Sequence, residues 1–355
     1  MNKDLKQEKP KEEIKSDNRY NRKLLNQAYK KAKKAREVEK KNKRKKKFLR
    51  IFIYTLIPIV LISIVLSIFF LLPKNIDFIE AVEKDSSKIF YEWGSEGVNH
   101  SQSLDISVIN LSATSSIVFN PKNGAILFER NSTEKRSIAS LTKIVSAIII
   151  LENYDLNESI EVSVENIPQD LDWTLGLVNG DKVMVEDLLK SMLISSYNDS
   201  GYILANAYPD GGYAGFVSAM NRKAKALQMN NSHFSNPSGL DDEGNYSTAM
   251  DLALLLSSAT NYSKILEITA LSKDTIKWNS KEGLVSKEIL TTNQLYGINS
   301  YVRGLKTGVT DLAGECFVGY FVYPNSEELI TVVLQSKDRF KDTTLLEKYS
   351  RQLLK

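Results

Sequence analysis

The chain contains little of the chemistry on which many hydrolases and extracellular domains depend. Its 355 residues include one cysteine, Cys316, which excludes an internal disulfide. It has only two histidines, His100 and His233, so a zinc site with several histidine ligands or a catalytic triad that uses histidine is not expected. We expect neither a metal nor a cofactor. Catalysis by this chain would therefore rely on serine, lysine, aspartate or glutamate.

Acidic residues are scarce at the N-terminus. Residues 1–50 hold 21 Lys and Arg against 7 Asp and Glu, a net charge of +14, which leaves −10 for the rest of a chain whose total is +4. Ile51–Leu72 then runs for 22 residues without a charge. That length crosses a hydrocarbon core of about 30 Å, and no small-residue cleavage site follows it. Because Lys and Arg lie on its N-terminal side, the arm is expected to stay in the cytoplasm.

These features predict four regions. Residues 1–47 form a basic cytoplasmic arm, expected to be disordered; residues 48–73 form a transmembrane anchor helix; residues 74–105 form a polar extracytoplasmic stalk; residues 106–355 form the catalytic domain. The predicted location is the cell membrane, with a single pass and the domain outside. The basic run sets topology or binds anionic lipid. It has no aromatic-interleaved pattern, so no nucleic-acid partner is expected.

Within residues 106–355, alternating apolar residues predict a β-hairpin from SSIVFN and AILFER around the turn PKNG. Helices are predicted over residues 185–193 and 214–227, after an Asn-Gly turn in LVNGDKVMV. Two strands, GECFVGYFVY and ELITVVLQS, and a short helix close the chain. Strands at both ends with helices between them indicate an α/β domain with a helical insertion.

The stretch IASLTKIVS places Ser140 three residues before Lys143, at the start of the apolar run AIIILE. Residues i and i+3 share a helix face, so the amine would lie beside the hydroxyl, as a base beside a nucleophile. The spacing alone is weak evidence, because Ser132 and Lys135 repeat it in a polar turn.

Two further motifs strengthen the interpretation. Ser196-Tyr197-Asn198 is predicted on a loop after a helix, and Lys306-Thr307-Gly308 is predicted just before the closing strands. The three motifs in this order resemble the penicillin-recognising serine enzymes. The sequence around the motifs resembles the D-alanyl-D-alanine carboxypeptidases, low-molecular-mass penicillin-binding proteins of peptidase family S11. The segments that carry this resemblance are FVSAMNRKAKALQM, HFSNPSGLDDEGNYSTAMDLA and GLKTGVTDLAGECFVG. Ser238 and Asn245 stand where that family commonly has histidines.

The resemblance implies a β-lactamase/DD-peptidase-like (transpeptidase-like) fold: an antiparallel sheet flanked by helices plus a helical subdomain, here preceded by one transmembrane helix. It also implies the substrate, a peptidoglycan stem peptide ending in D-Ala-D-Ala, with β-lactam antibiotics as acylating inhibitors. The implied reaction removes the terminal D-alanine through an acyl-enzyme on Ser140.

The resemblance also implies a role for each motif residue. Lys143 would take the proton of Ser140, with Lys306 as the neighbouring cation that lowers its pKa. Ser196 would pass the proton to the departing D-alanine, and Asn198 would position the substrate amide and Lys143.

Further residues are expected to bind the substrate. The backbone N–H groups of Ser140 and Val309 would form an oxyanion hole, and Thr307 and Arg339 would bind the terminal carboxylate. Gly308 would leave room for substrate along a strand edge. Cys316 is expected to be a small buried strand residue with no role in the chemistry. Trp173 in DLDWTLG is more typical of packing than of substrate contact.

Two alternatives remain at this point. A serine β-lactamase-like hydrolase would need a glutamate in an ExxLN loop after the second motif, and none follows Asn198. A non-catalytic cell-wall-binding scaffold would have lost the nucleophile, base or relay, and all are present. The sequence leaves the balance of carboxypeptidase, endopeptidase and transpeptidase activity open.

Overall fold

The structure is a computed structural model, and it describes residues 109–354. The predicted arm, membrane anchor and stalk lie outside the described residues. Within residues 109–354, none of the helices has the length and apolar character needed to cross a bilayer.

A five-stranded antiparallel sheet organises the domain. Its strands, in spatial order, are β2 (Ile126–Arg130), β1 (Ser115–Phe119), β9 (Glu328–Ser336), β8 (Gly314–Val322) and β7 (Val302–Thr310). The β1–β2 hairpin and the closing pair β8–β9 confirm two sequence predictions. The first strand, β1, pairs with the last strand, β9, and the two lie side by side in the middle of the sheet.

Helices cover both faces of this sheet, which explains why its central strands are nearly continuous apolar runs. Ile117 and Phe119 of β1 belong to the same buried cluster as helix α5 (Ala249–Ala259). Val118, between them, points to the other face and packs with Leu346 of helix α7 (Arg339–Ser350). The alternation of side chains along β1 therefore connects two separate cores.

A helical part lies beside the sheet, as the sequence predicted. Helix α1 (Lys143–Asn153) is buried along its first eight residues, with helices packed around it. The helices that contact α1 are α5 and three more: α2 (Val185–Ile194), α3 (Asn198–Asn206) and α4 (Gly212–Ala226). The remaining short helix, α6 (Ser263–Thr269), packs against α2 and β7. The fold is thus α/β, with an antiparallel sheet, flanking helices and a helical subdomain.

A second antiparallel sheet was not predicted. Its order is β3 (Ser159–Glu161), β4 (Lys182–Met184), β5 (Lys273–Ser280) and β6 (Gly283–Leu290). The β5–β6 hairpin has polar or exposed side chains at most positions, with Ile276, Trp278 and Ile289 buried. The pattern therefore has too few apolar residues to stand out in the sequence.

Candidate active site

The first motif lies at the junction between the large sheet and the helical part. A short 3₁₀ turn, Ala139–Thr142, carries Ser140 and runs directly into α1, whose first residue is Lys143. Side chains at i and i+3 of a 3₁₀ turn eclipse one another. The Lys143 Nζ consequently lies 2.7 Å from the Ser140 Oγ, as the spacing predicted. Ser140 remains half-buried and open to a substrate.

Lys143 is fully buried, and two more oxygens surround its amine. Nζ donates to the Asn198 Oδ1 at 2.7 Å and to the Ser238 backbone carbonyl at 2.8 Å. Burial holds the pKa of Lys143 well below its usual value, and the Lys306 charge lowers it further, against a smaller opposing effect of Asp199. The amine is therefore far more available as a base than a solvated lysine.

The second motif begins on a loop and ends on a helix. Ser196 follows α2 with a φ of 64°, in the left-handed region, and is half-buried. Its hydroxyl has no hydrogen-bond partner among residues 109–354. Asn198, predicted on the loop, is the first residue of α3. Its Nδ2 donates to the Asp172 carbonyl at 2.9 Å, which fixes the amide with Oδ1 facing Lys143.

The third motif precedes the closing strands β8 and β9, as expected, and it lies within a strand of its own, β7, which was not predicted. Gly308 was expected to leave room along a strand edge, and in the structure it permits a close approach of two backbones. A Cβ on Gly308 would lie 3.0 Å from the Ser140 N and 3.1 Å from the Ile138 O. Strand β7 therefore packs directly on the turn that carries the nucleophile, which a side chain would prevent.

Strand β7 also brings the predicted carboxylate-binding residues together. The buried Thr307 Oγ1 lies 2.6 Å from the Thr292 Oγ1, and the Arg339 Nη1 donates to the Gly308 carbonyl at 2.7 Å. Lys306 is 1% exposed, and burial, with a contribution from Arg339, lowers its pKa to about 7. The Val309 side chain is largely exposed.

The structure adds two site features that sequence reasoning missed, and both are backbone carbonyls. Ser238 belongs to the loop NPSGL, where the Asn236 Oδ1 accepts from three backbone N–H groups: Ser238, Gly239 and Leu240. Asp172 holds the amide of Asn198. A carbonyl has no residue-type signature, so only the unexplained NPSGL run could have hinted at the first.

The two residues assigned to packing have different outcomes. Cys316 is fully buried in β8, as predicted, and burial raises the pKa of its thiol to about 11. Trp173 is 60% exposed, so it is not a core residue, although its ring stacks on Tyr197. It lies beside the second motif, where its backbone carbonyl accepts from the Asn198 N–H at 2.9 Å. Main-chain pairing and the indole N–H, rather than burial of the ring, hold it in place.

The chain is similar to proteins of one family. A model of the D-alanyl-D-alanine carboxypeptidase family (peptidase family S11) matches residues 99–338. The D-alanyl-D-alanine carboxypeptidase DacF of Bacillus subtilis is 32% identical over 209 residues, which are 58% of this chain and 52% of DacF. The chain thus spans about half the length of that curated relative.

Solved structures are similar over nearly their whole length. The Streptomyces K15 DD-transpeptidase is 27% identical, with a TM-score of 0.65 over 69% of this chain and 98% of the K15 chain. Penicillin-binding protein D2 of Listeria monocytogenes, solved in cefotaxime-bound and ampicillin-bound forms, is 31% identical, with a TM-score of 0.59 over 68% of this chain and 98% of D2. With its three motifs assembled in one site, the chain belongs to the D-alanyl-D-alanine carboxypeptidase family.

Proposed function

We propose that residues 109–354 form a serine-type D-Ala-D-Ala carboxypeptidase, which releases the terminal D-alanine of a peptidoglycan stem peptide through an acyl-enzyme on Ser140. Family membership supports the reaction class. The observation that carries the proposal is the environment of one amine. Lys143 is buried, lies 2.7 Å from the Ser140 hydroxyl, and has two carbonyl oxygens as its other partners.

These two carbonyls decide where the lone pair of a neutral amine points. A neutral lysine has two N–H donors and one lone pair, and a carbonyl oxygen can only accept. The two N–H groups are therefore committed to the Asn198 Oδ1 and the Ser238 O. The lone pair is left facing the Ser140 Oγ, whose hydroxyl can donate. The site is thus organised to remove that proton.

Acylation would follow at the carbonyl of the penultimate D-alanine. The Ser140 Oγ forms the bond to that carbon, and the backbone N–H groups of Ser140 and Val309 stabilise the oxyanion. The close approach of Gly308 to the Ser140 N supports this pairing of amides. As the C–N bond breaks, Ser196, whose hydroxyl is unpaired among the described residues, passes the proton that Lys143 took from Ser140 to the leaving nitrogen. A water molecule then adds to the acyl carbon, the bond to the Ser140 Oγ breaks, and a proton returns to that oxygen as the shortened peptide leaves.

The free carboxylate of the substrate is assigned to the strand β7 side of the site. Thr307 supplies a hydroxyl, Arg339 a planar guanidinium and Lys306 a buried cation, all on or against the strand. Penicillins and cephalosporins also combine a strained acyl group with a carboxylate. Since the Listeria relative has been solved with ampicillin and with cefotaxime bound, β-lactams are proposed to acylate Ser140 of this chain.

The proposed location is the outer face of the cell membrane. Its support is the uncharged run Ile51–Leu72 and the net charge of +14 on residues 1–50, which favour a cytoplasmic arm and an anchor in contact with lipid. Protease added to intact, wall-stripped cells should degrade the domain and spare an epitope fused to residue 1; protection of the domain would contradict this orientation.

Labelling with a fluorescent penicillin tests the function. The full-length protein should be labelled covalently and should release D-alanine from a stem pentapeptide, and Ser140→Ala should lose both. Lys143→Ala should slow acylation by roughly a thousandfold, within the usual range for a general base. Ser132→Ala is the matched control, because Ser132 and Lys135 have the same spacing outside the site.

Each alternative has its own result in the same assay. Rapid hydrolysis of penicillin without release of D-alanine would indicate a β-lactamase-like hydrolase. A folded wild-type protein that neither takes the label nor releases D-alanine would refute the enzymatic proposal and favour a wall-binding scaffold.

A further inference from the structure

Trp173 is a large aromatic residue that is 60% exposed and lies beside the second catalytic motif. The carbonyl of the preceding residue, Asp172, accepts a hydrogen bond from the Asn198 side chain, and the Trp173 carbonyl accepts one from the Asn198 backbone N–H. The indole therefore lies next to the residue expected to position the substrate amide.

The ring of Trp173 is held in place although it is exposed. Its Nε1–H donates to the Ser195 carbonyl at 2.5 Å, and its ring stacks on Tyr197 with centroids 6.1 Å apart and planes 24° apart. Its backbone has a φ of 55°, which is uncommon for a bulky residue. A ring fixed in advance loses little conformational entropy when a ligand covers it.

Neighbouring side chains extend this surface. Leu290 is 58% exposed, and its backbone N and O lie 3.0 and 2.7 Å from the Ser195 Oγ. Ser195 thus anchors both Leu290 and Trp173. We call Trp173, Tyr197 and Leu290 the apolar rim. Lys287 lies over the Tyr197 ring, with Nζ 4.7 Å from the centroid, and Trp173 keeps the larger open aromatic face.

The rim lies where the N-terminal part of the substrate should pass, an argument that depends on the proposed function. The terminal carboxylate is assigned to Thr307 and Arg339, and the preceding amide to Asn198. Trp173 is hydrogen-bonded to Asn198 through its backbone carbonyl. A substrate whose amide lies at Asn198 would therefore place the residue that precedes D-Ala-D-Ala against the apolar rim.

We propose that Trp173 is a specificity-determining residue that binds the side chain preceding D-Ala-D-Ala, and that it favours a long side chain ending in an amine. The face of an indole attracts an ammonium group, and the methylene stem of such a side chain packs on the ring.

A double-mutant cycle between enzyme and substrate tests this assignment. D-Alanine release from acetyl-L-Lys-D-Ala-D-Ala and from acetyl-L-Ala-D-Ala-D-Ala is measured with the full-length wild type and with Trp173→Ala. We expect kcat/KM for the lysine peptide to fall about tenfold and that for the alanine peptide to fall by less than about threefold.

Two further variants separate contact from support. Trp173→Phe keeps an aromatic face but loses the N–H bonded to Ser195, so it should retain most of the preference for lysine. Leu284→Ala removes another exposed apolar side chain, 68% exposed, at the turn end of the β5–β6 hairpin, and should change neither substrate.

Equal losses for the two peptides in Trp173→Ala would overturn the proposal, since Trp173 would then only support Ser195 and Asn198. Unchanged kinetics would overturn it as well. A wild type that turns over neither peptide and takes no penicillin label would instead show that the proposed function itself has failed, and the inference would fall with it.

Discussion

Replacing Gly308 by alanine adds one carbon at the closest contact between β7 and the turn that carries Ser140. The new Cβ would lie 3.0 Å from the Ser140 N and from the Ala139 Cβ, and 3.1 Å from the Ile138 O. The backbone of Gly308 is not in the left-handed region, so alanine meets no dihedral penalty there. The effect of the substitution is therefore steric.

The magnitude follows from these distances. The neighbours must move by a few tenths of an ångström, and two of the three atoms are backbone atoms of the turn. Overpacking of this size costs about 1 to 3 kcal/mol of stability. The same movement separates the N–H groups of Ser140 and Val309. Complete loss of one oxyanion donor lowers the rate about a hundredfold to a thousandfold. A displaced donor should cost less than a missing one, so we expect the acylation rate to fall at least about tenfold and at most about a thousandfold.

The assay is the second-order rate constant for acylation by a fluorescent penicillin, together with kcat/KM for D-alanine release and a thermal unfolding curve. Gly319→Ala is the matched control. Its Cβ would lie 2.7 Å from the Phe321 ring and 2.8 Å from the Thr331 Oγ1, and its three nearest atoms all belong to the sheet rather than to the turn that carries Ser140. It should lose stability yet acylate at close to the wild-type rate once folded.

Two results would refute this reasoning. If Gly308→Ala keeps the wild-type acylation rate, the spacing between β7 and the turn does not set the oxyanion geometry. Alternatively, Gly319→Ala could lose as much activity as Gly308→Ala, which would mean that activity follows global stability.

The remaining predictions concern the two buried lysines and Asn198. Lys306→Gln removes a cation that lowers the Lys143 pKa, so the acid limb of the pH–acylation profile should move to higher pH; an unchanged limb would contradict that coupling. The pKa of Lys306 is about 7 in the fold against 10.5 ordinarily, so the unfolded chain binds more protons in that window and stability rises with pH. Denaturant unfolding of Lys306→Met should show a rise shallower by up to about 1.4 kcal/mol per pH unit, while Lys273→Met, at an exposed site, should keep the wild-type slope. Asn198→Asp puts a carboxylate 2.7 Å from the Lys143 Nζ and an oxygen against the Asp172 carbonyl, which favours the ammonium form. Acylation at pH 7 should fall at least about a hundredfold and recover in part at higher pH, and a wild-type rate would refute the role of the amide.

The sequence predicted the elements whose pattern is strong. The β1–β2 hairpin has clean alternation and a turn, and α1 and β8–β9 are nearly continuous apolar runs. The β5–β6 hairpin was missed because most of its side chains are exposed. Strand β7 was not predicted because Gly304 and Gly308 interrupt its pattern of side chains. In the structure a Cβ on Gly304 would meet the Thr269 side chain, and one on Gly308 would meet backbone atoms of Ile138 and Ser140.

The candidate site was predictable in its side chains and not in its backbone. Hydroxyl, amine and amide groups have residue-type signatures, so the three motifs could be found. The carbonyls of Ser238 and Asp172 could not, because any residue could supply them. The exposure of Trp173 could not be predicted either, because the hydrogen bond from the Asn198 N–H that holds its main chain is accepted by a carbonyl, which any residue could supply.

The second SxxK sequence of the chain shows that spacing alone does not make a base. Ser132 donates to the Glu129 carboxylate at 2.7 Å, and Lys135 is exposed, with Nζ 4.6 Å from the centroid of the Tyr246 ring. The amine of Lys135 is therefore not enclosed by the rest of the domain. Lys143 has the same spacing but has partners from the 3₁₀ turn, α3 and the NPSGL loop. Three separate segments must fold around it before its lone pair faces a serine, so reactivity at Ser140 is a property of the assembled domain rather than of the motif.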